Sequence, residues 1–260
     1  MAKSRFEYVK GFENHPILLL NTYIAVRIDG RGFHQFSKEH NFTKPNDVRA
    51  LDLMNQCAKS VMEEYTDIVI AYGESDEFSF VISKKSQLYK RRESKIVSCI
   101  VSRFSSSYVF YWKDFMGDTP LKYPPVFDGR AVCYPSLENI RDYLSWRQAD
   151  THINNLYNTC FWLMVQDPSQ KYKSEKEVEN ILKDTNSSQK NELLFSQYNV
   201  NYAKLPEQFR KGSVLYSDKR NVTEIGKNGK EVVRSRRVIV IDHCDIIGED
   251  FWKQHPHILP

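Results

Sequence analysis

The chain has 260 residues, of which 41% are hydrophobic and 27% are charged, and its formal net charge is +4. This composition predicts a globular protein of one large or two small domains and excludes a disordered chain. No apolar run approaches the length of a membrane span, and five widely spaced cysteines without a C-x-x-C pair predict reduced thiols in an intracellular protein rather than a zinc site.

Hydrophobic periodicity predicts an N-terminal half with the element order β-α-β-β-α-β, preceded by a short helix over residues 3–10. The predicted strands cover residues 22–29, 67–72, 77–82 and 125–134. The predicted helices cover residues 33–39, 48–65 and 95–115. Residues 44–47 form a helix-start signal in which Asn46 or Asp47 caps the second of these helices.

This order is the split βαβ arrangement of ferredoxin-like antiparallel sheets in α+β proteins. A right-handed crossover makes the first two strands parallel, and the third strand lies between them and antiparallel to both. The end of the first strand and the turn between the second and third strands then share one edge of the sheet. Asp29 and Asp76, which are remote in the chain, are therefore predicted to meet there.

The second half of the chain is predicted to be a helical extension that ends in a β-hairpin. Its helices are expected at residues 137–146, 149–165, 174–183 and 189–197, the third opening with a capping box at Ser174. The hairpin is expected to pair residues 214–223 with 230–242 around a turn at Asn228-Gly229. The tail, residues 249–260, is expected to be irregular. We accordingly predict a sheet domain over residues 1–135 and an extension over residues 136–260 that packs with it as one unit.

Two carboxylates at one sheet edge could hold divalent cations. Asp29 and Asp76, with the carbonyl oxygen of Gly30, offer oxygen ligands for two ions about 4 Å apart, the arrangement found in many phosphoryl-transfer enzymes. Glu77 is a reserve ligand, although strand alternation points it away from Asp76. The alternative is structural, because aspartates at strand ends commonly cap turns or pair with a neighbouring arginine.

The loop after the first strand has the features of a phosphate-binding segment. Gly30 and Gly32 let backbone amides approach a ligand, and the following helix presents its N-terminus to anions. Lys44 could bring a positive charge to terminal phosphates and Ser75 a hydroxyl, the alternatives being an ordinary exposed lysine and a serine bonded to its own turn. For His34 the sequence leaves a phosphate contact and a solvent-facing position open.

Positive charge is concentrated in two stretches, residues 84–103 and 227–237, each of which contains a single acidic residue. Beside the sheet edge that carries Asp29 and Asp76, such clusters indicate either that a polyanion is brought to a metal site or that the basic residues form a solvated face. A polar helix face with His152 and Asn155 at i,i+3 could grip a nucleotide or a sugar-phosphate backbone. It could equally be a buried polar network that holds the extension on the sheet.

Four motifs, taken in order, resemble those of the eukaryotic tRNA-histidine guanylyltransferases. They are residues 27–33 (RIDGRGF), 72–80 (YGESDEFSF), 127–130 (FDGR) and 146–159 (WRQADTHINNLYNT). The resemblance extends from the N-terminus to about residue 165 and continues more loosely to the C-terminal hairpin. It implies a polymerase-palm-like sheet, in agreement with the split βαβ order.

The resemblance implies a nucleotidyltransferase that adds one guanosine to the 5′ end of tRNA-His, a nucleotide addition in the 3′-to-5′ direction. ATP adenylylates the tRNA 5′-phosphate, the 3′-hydroxyl of GTP attacks and expels AMP, and pyrophosphate is finally removed. The ligands of two magnesium ions correspond to Asp29, the Gly30 carbonyl and Asp76. The nucleotide-binding residues correspond to Asp29, Gly30, Arg31, Gly32, Phe33, His34, Lys44, Asn46, Ser75 and Asp76. Stretches associated with activation and the tRNA end contain Arg27, Arg92, Lys95, Arg130, His152 and Asn155.

The same resemblance implies tRNA-His, ATP and GTP as partners, a homotetramer that reads the anticodon, and no membrane. The N-terminus shows no secretory signal, and the expected location is the cytoplasm, with the nucleus as a further compartment. Phosphate contacts to a tRNA would make binding salt-dependent. Three alternatives stay open: a non-catalytic tRNA-binding module, a palm-type cyclase, and a general 3′-to-5′ tRNA repair polymerase.

Overall fold

A computed structural model describes residues 4–169, 171–172, 174–225 and 231–259 of the chain. Its strands are β1 (Tyr23–Gly30), β2 (Ile68–Glu74), β3 (Glu77–Ile82), β4 (Phe127–Tyr134), β5 (Ser213–Ile225) and β6 (Glu231–Asp242). Its α-helices are α1 (Phe33–Glu39), α2 (Val48–Glu64), α3 (Glu93–Met116), α4 (Leu137–Val165), α5 (Glu175–Lys183), α6 (Ser187–Tyr198), α7 (Glu207–Lys211) and α8 (Glu249–Gln254). Short 3-10 helices cover Glu7–Phe12, Leu88–Arg91 and Tyr202–Lys204. Together these elements form a mixed α+β fold.

The strands of the N-terminal half are arranged as their order predicted. β3 pairs with β1 on one side and β2 on the other, antiparallel to both, and β4 pairs with the free side of β1. The β2–β3 turn contains only Ser75 and Asp76, instead of the four residues predicted, because β2 continues to Glu74. Ser75 adopts a left-handed φ of 47° in this tight turn.

The start of α2 confirms the predicted capping signal and identifies Asp47 as the capping residue. Its carboxylate accepts hydrogen bonds from the backbone N–H groups of Arg49 and Thr43, each at 3.0 Å. The bond from Arg49 satisfies a donor that the helix start would otherwise leave without a partner, and the bond from Thr43 fixes the loop before the helix. The cap also orients the segment Lys44–Asn46, which precedes it.

The C-terminal half departs from the prediction in three places. α4 is one continuous helix of 29 residues rather than two. β5 pairs with β2, so the hairpin extends the sheet to six described strands in the order β4-β1-β3-β2-β5-β6. The tail is not irregular throughout, because Phe251 and Trp252 of α8 are buried in the core and this packing stabilises a short helix. The predicted turn at Asn228-Gly229 lies outside the described residues.

Side-chain alternation in β1 divides the core between the two faces of the sheet. Ile24, Val26 and Ile28 pack with α2 and α3, whereas Tyr23 and Ala25 lie on the face covered by α4 and α8. Full burial of each large apolar side chain contributes about 1.5–3 kcal/mol. No helix in the described part of the chain is long and apolar enough to cross a lipid bilayer. Asp29, Gly30 and Glu77, at the ends of β1 and β3 beside the β2–β3 turn, are only half-buried.

Candidate active site

The end of β1 lies directly beside the β2–β3 turn. The N–H of Gly30 donates a hydrogen bond to the carbonyl oxygen of Asp76 at 3.1 Å. In the β1–β3 ladder, Asp29 lies opposite Glu77. The structure therefore brings Asp29 and Asp76 to one edge of the sheet.

Three carboxylates, those of Asp29, Asp76 and Glu77, lie close together at this edge of the sheet. Burial raises the pKa of Asp76 to about 6, with further raising effects from the Asp29 and Glu77 carboxylates and a lowering effect from the Ser75 hydroxyl. That hydroxyl donates to Oδ1 of Asp76 at 2.9 Å. Adjacent carboxylates repel each other unless a cation neutralises them. An oxygen-only donor set with excess negative charge fits a hard divalent cation such as Mg²⁺.

A cleft of about 360 Å³ opens beside this edge between α1, α2 and α4. Nζ of Lys44 donates to Oγ of Ser37 at 2.8 Å and lies 5.3 Å from the centroid of the Trp162 ring. Burial lowers the pKa of Lys44, whereas the charge of Asp76 raises it. The predicted nucleotide-binding residues that line the cleft are Phe33, His34, Lys44, Asn46, Ser75 and Asp76. A lysine and an aspartate thus share one cleft, which suits a ligand that carries both phosphates and metal ions.

The loop after β1, with Gly30 and Gly32, is predicted to offer successive free backbone amides to a phosphate, but two of these amides already have partners. The N–H of Gly30 is bonded to Asp76, and the N–H of Arg31 donates to the carbonyl of Val126 at 2.8 Å. The amides that remain for a ligand begin at Gly32, the N-cap of α1, and continue into the first turn, where a helix has no internal acceptors. Gly32 itself has a φ of +69°, a conformation that favours glycine. The first two amides therefore shape the loop instead of binding phosphate.

Asn46 is held in the cleft by α4. Its Oδ1 accepts a hydrogen bond from Nδ2 of Asn155 at 3.0 Å, and Oδ1 of Asn155 accepts one from Tyr202 at 3.2 Å. Nδ2 of Asn46 is buried and has no partner among the described residues. Asn155 is thus part of a buried polar network beside the cleft, whereas His152 is exposed and meets the Tyr202 ring at a centroid distance of 5.3 Å. The buried network at Asn155 agrees with the second alternative for this helix face, and a nucleotide or backbone contact by His152 stays a prediction.

The two predicted arginines nearest the acidic edge face each other on adjacent strands. Arg27 on β1 lies opposite Arg130 on β4, two residues before Asp29 along β1. Arg130 is exposed, and its guanidinium donates to Asp128 at 3.3 Å. Nε of Arg27 lies 3.8 Å from the Glu77 carboxylate. This pair places positive charge close to the cleft.

Arg92 lies at the opposite end of the sheet, and Lys95 follows it in the first turn of α3. The start of α3, which carries them, is bonded to the N-terminal segment through the N–H of Glu93 and the carbonyl of Pro16 at 3.0 Å. This segment precedes β1, so Arg92 lies near the start of that strand, whereas Val97, two residues after Lys95, already lies beside Gly129 of β4, which is opposite Ile28. Arg91, counted in the same basic stretch, is buried with its guanidinium on backbone carbonyls and offers no charge to a polyanion.

Arg147 is a residue of the site that sequence patterns did not single out. It lies on α4 within the fourth motif, and its guanidinium binds the carboxylates of Glu77 and Asp150 at 3.0 Å each. Glu77, the reserve metal ligand, is therefore engaged in an ion pair. Burial raises the pKa of the neighbouring Glu74 to about 7. A lone arginine inside a helical stretch is too common for sequence alone to identify such a contact.

An acidic strand end beside a cleft that contains a lysine is typical of enzymes that transfer phosphoryl or nucleotidyl groups. Comparison with known proteins is more specific. The profile of the family described as Thg1, tRNAHis guanylyltransferase, matches residues 6–135, and that of the Thg1 C-terminal domain matches residues 138–248. The chain therefore belongs to the tRNA(His) guanylyltransferase family, whose members are nucleotidyltransferases.

Relatives and solved structures agree with this assignment. The probable tRNA(His) guanylyltransferase of Dictyostelium discoideum is 55% identical over 100% of this chain and 99% of its own. The corresponding Homo sapiens protein is 51% identical over 100% of this chain and 89% of its own. The crystal structure of the Saccharomyces cerevisiae enzyme superposes with a TM-score of 0.77 at 44% identity, covering 88% of this chain and 96% of that one. A bacterial Thg1-like protein in complex with ATP, at 22% identity, shares the fold with a TM-score of 0.74, covering 98% of this chain and 99% of its own.

Proposed function

We propose that this protein adds a guanosine nucleotide to the 5′ end of tRNA-His in the 3′-to-5′ direction. Membership of the family supports this activity. The single observation that carries it is the meeting of Asp29 and Asp76 at the edge of a cleft that also contains Lys44. This combination suits a nucleoside triphosphate with its metal ions.

The proposed reaction has two nucleotidyl transfers followed by a trimming step. The 5′-phosphate of the tRNA first attacks the α-phosphorus of ATP, which releases pyrophosphate and leaves an adenylylated 5′ end. The 3′-hydroxyl of GTP then attacks the tRNA phosphorus, loses its proton and expels AMP. Removal of pyrophosphate from the new 5′ guanosine completes the product. Each of the two transfers forms a new phosphorus–oxygen bond and breaks a phosphoanhydride bond.

Asp29, the Gly30 carbonyl and Asp76 would hold two Mg²⁺ ions. The fit rests on the donor set and on the raised pKa of Asp76, which reflects burial and the charges of the Asp29 and Glu77 carboxylates. Mg²⁺ at this edge would polarise the attacking hydroxyl and neutralise charge that develops on the phosphates. The chain itself would bind the triphosphate through Lys44 and Ser75 and orient it with Asn46, His34 and the amides from Gly32 onward.

The tRNA would extend well beyond the cleft. Arg27, Arg130 and His152 would contact its 5′ end, whereas Arg92 and Lys95, at the start of α3, would meet phosphates further along the tRNA. We place this activity on a palm-like sheet domain, as the β-α-β-β-α-β order supports. The domain boundary near residue 135, the homotetramer and the cytoplasmic or nuclear location stay predictions.

Incubation of the protein with radiolabelled GTP, ATP, Mg²⁺ and 5′-phosphorylated tRNA-His tests the proposal. We expect one labelled guanosine on tRNA-His, none on a non-cognate tRNA, and none without ATP. A non-catalytic module would bind tRNA with or without Mg²⁺ and consume no triphosphate. A cyclase would consume triphosphate without tRNA, and a repair polymerase would extend truncated tRNAs on a template. Each of these results would replace the proposed function by the named alternative.

A further inference from the structure

Glu77 is the third carboxylate at the edge where β1 ends. It follows Asp76 in sequence and lies opposite Asp29 in the β1–β3 ladder. Both of its carboxylate oxygens accept hydrogen bonds from one terminal nitrogen of Arg147, at 3.0 and 3.1 Å. A carboxylate this close to Asp29 and Asp76 would be a natural metal ligand, yet it is paired with an arginine instead.

Arg147 approaches from α4 and contacts both strands that flank the acidic turn. Besides Glu77 on β3, the same nitrogen lies 3.7 Å from the Glu74 carboxylate at the end of β2, and the other terminal nitrogen donates to Asp150 at 3.0 Å. Its Cζ lies 3.7 Å from the centroid of the Trp146 ring. Only 5% of the side chain is exposed. A buried guanidinium with these partners is held firmly, because withdrawal would leave buried charge unpaired.

We propose that Arg147 is a positioning residue that withholds Glu77 from the divalent cations and limits their carboxylate ligands to Asp29 and Asp76. The inference rests on the proposed function, since it takes these two aspartates to hold the cations. Charge-assisted hydrogen bonds engage both oxygens of Glu77 and neutralise its charge, so it competes poorly as a ligand. Without Arg147, Glu77 would keep only the more distant Arg27, whose Nε lies 3.8 Å from its carboxylate, and would add a ligand and a negative charge to the cation site.

The test is Mn²⁺ binding to the full chain without nucleotide, followed through the EPR signal of free Mn²⁺. Arg147→Met, Glu77→Gln and the double variant form a double-mutant cycle. Arg141→Met is the matched control, because Arg141 also lies on α4, pairs with Glu249 at 2.6 Å and stacks over a tryptophan, Trp252. A purely structural ion pair would change thermal stability in the cycle but not the affinity for Mn²⁺.

We expect Arg147→Met to lower the Mn²⁺ dissociation constant about fivefold or more, because a positive charge is lost and a carboxylate is released. In the wild-type background, Glu77→Gln should weaken Mn²⁺ binding by less than about fivefold. In the Arg147→Met background, the same substitution should weaken Mn²⁺ binding by more than about tenfold. Arg141→Met should bind Mn²⁺ as the wild type does. An unchanged or raised dissociation constant for Arg147→Met, or equal effects of Glu77→Gln in both backgrounds, would overturn the inference.

Two further variants keep the outcome decisive. If circular dichroism shows that Arg147→Met does not fold, Arg147→Gln replaces it in the cycle. A loss of Mn²⁺ affinity of more than about tenfold in Glu77→Gln alone would also refute the inference, because it would identify Glu77 as a ligand. Asp76→Asn separates the two proposals. If Asp76→Asn leaves Mn²⁺ binding intact, the proposed metal site is wrong and the inference falls with it. If Asp76→Asn abolishes Mn²⁺ binding, the proposed metal site is supported, and the Arg147→Met measurements then test the inference separately.

Discussion

The peptide N–H of Gly30 donates a hydrogen bond to the carbonyl oxygen of Asp76 over 3.1 Å, which ties the end of one strand to the turn between two others. This bond joins the two segments that carry the acidic pair. The position of each carboxylate therefore depends on the backbone of the other segment, and substitutions that displace either backbone should disturb both.

Gly30→Ala should lower the free energy of unfolding by about 1–3 kcal/mol, as overpacking typically does, and reduce guanosine addition. A Cβ at this position would overlap the ring of Phe33, which packs against Phe36 and Phe127. Urea unfolding and the tRNA assay measure the two effects. Gly11→Ala is the control, since a Cβ there has no heavy atom within 4 Å. Similar behaviour of the two variants would contradict the close packing at Gly30.

Asp29→Ala and Asp76→Ala should each abolish adenylylation of tRNA and transfer of guanosine while leaving the fold intact. The physical reason is that both steps are proposed to use the same ions, and loss of a preorganised charge centre typically reduces rates by about 10²-fold or more. Labelled ATP and labelled GTP follow the two steps separately. Asp142→Ala, on the exposed surface of α4, should leave both rates unchanged. Retention of either step near the wild-type rate would argue against a shared metal site.

Lys44→Met should raise the KM for the nucleotide about 10- to 100-fold, the effect expected when a charged hydrogen-bond donor to a phosphate is removed. The methionine side chain is unbranched and similar in length, so folding should be little affected, although the contact of Nζ with the Trp162 ring is lost. Steady-state kinetics with varied GTP and ATP measure the change. Lys38→Met, an exposed position on α1, provides the comparison. An unchanged KM would remove Lys44 from the nucleotide site.

Asp47→Ala should destabilise the fold by about 1–2 kcal/mol at neutral pH through loss of the α2 cap. Burial of Asp47 acts to raise its pKa, but hydrogen bonds from the Arg49 side chain and the Thr43 and Arg49 backbones outweigh burial and lower it below the ordinary 3.8. A lowered folded-state pKa stabilises the fold above the ordinary value, and this contribution is lost as the pH falls through the folded-state pKa.

The difference between wild type and Asp47→Ala should therefore be largest near pH 7 and shrink below about pH 4. Denaturant unfolding at several pH values measures it. Asp47→Asn keeps an N-cap acceptor but removes the charge, so it should lie between the other two proteins at neutral pH. A difference between wild type and Asp47→Ala that does not change with pH would show that the carboxylate charge contributes nothing.

Arg92→Ala and Lys95→Ala should each weaken tRNA binding and reduce the slope of log affinity against log salt by about one, the signature of one lost phosphate contact. The KM for GTP should not change, because neither side chain lines the cleft that contains Lys44 and Asp76. Filter binding at several salt concentrations gives the slope. Lys253→Ala, an exposed position on α8, should leave the slope as it is. A raised KM for GTP would place these residues in the nucleotide site instead.

Sequence reasoning was most successful where local pattern and chain topology were sufficient. The periodicity of α2 and its capping signal predicted the helix start, and the structure selected Asp47 over Asn46 as the cap. The strand order predicts that Asp29 and Asp76 lie at one edge of the sheet, because a right-handed crossover allows few alternatives. Both inferences depend on short-range geometry or on connectivity, which a sequence carries directly.

Sequence reasoning was weaker where distant packing decides the outcome. The tail was predicted to be irregular, but Phe251 and Trp252 dock on the sheet face beneath α4 and form a helix there. The hairpin was predicted, but not its place beside β2. One basic stretch was treated as a single surface, although Arg91 is buried and Arg92 lies at the far end of the sheet from the acidic edge.

The sequence by itself determined the order of the elements in the N-terminal half, the meeting of Asp29 and Asp76, and the family, because these follow from periodicity, chain connectivity and motifs. Only the tertiary structure decided that Arg147 binds Glu77, that Asn155 holds Asn46, and that the Gly30 and Arg31 amides are already bonded. Each of these contacts joins segments from different layers of the fold. Their formation depends on how helices dock on the sheet, and no local pattern in the chain specifies that docking.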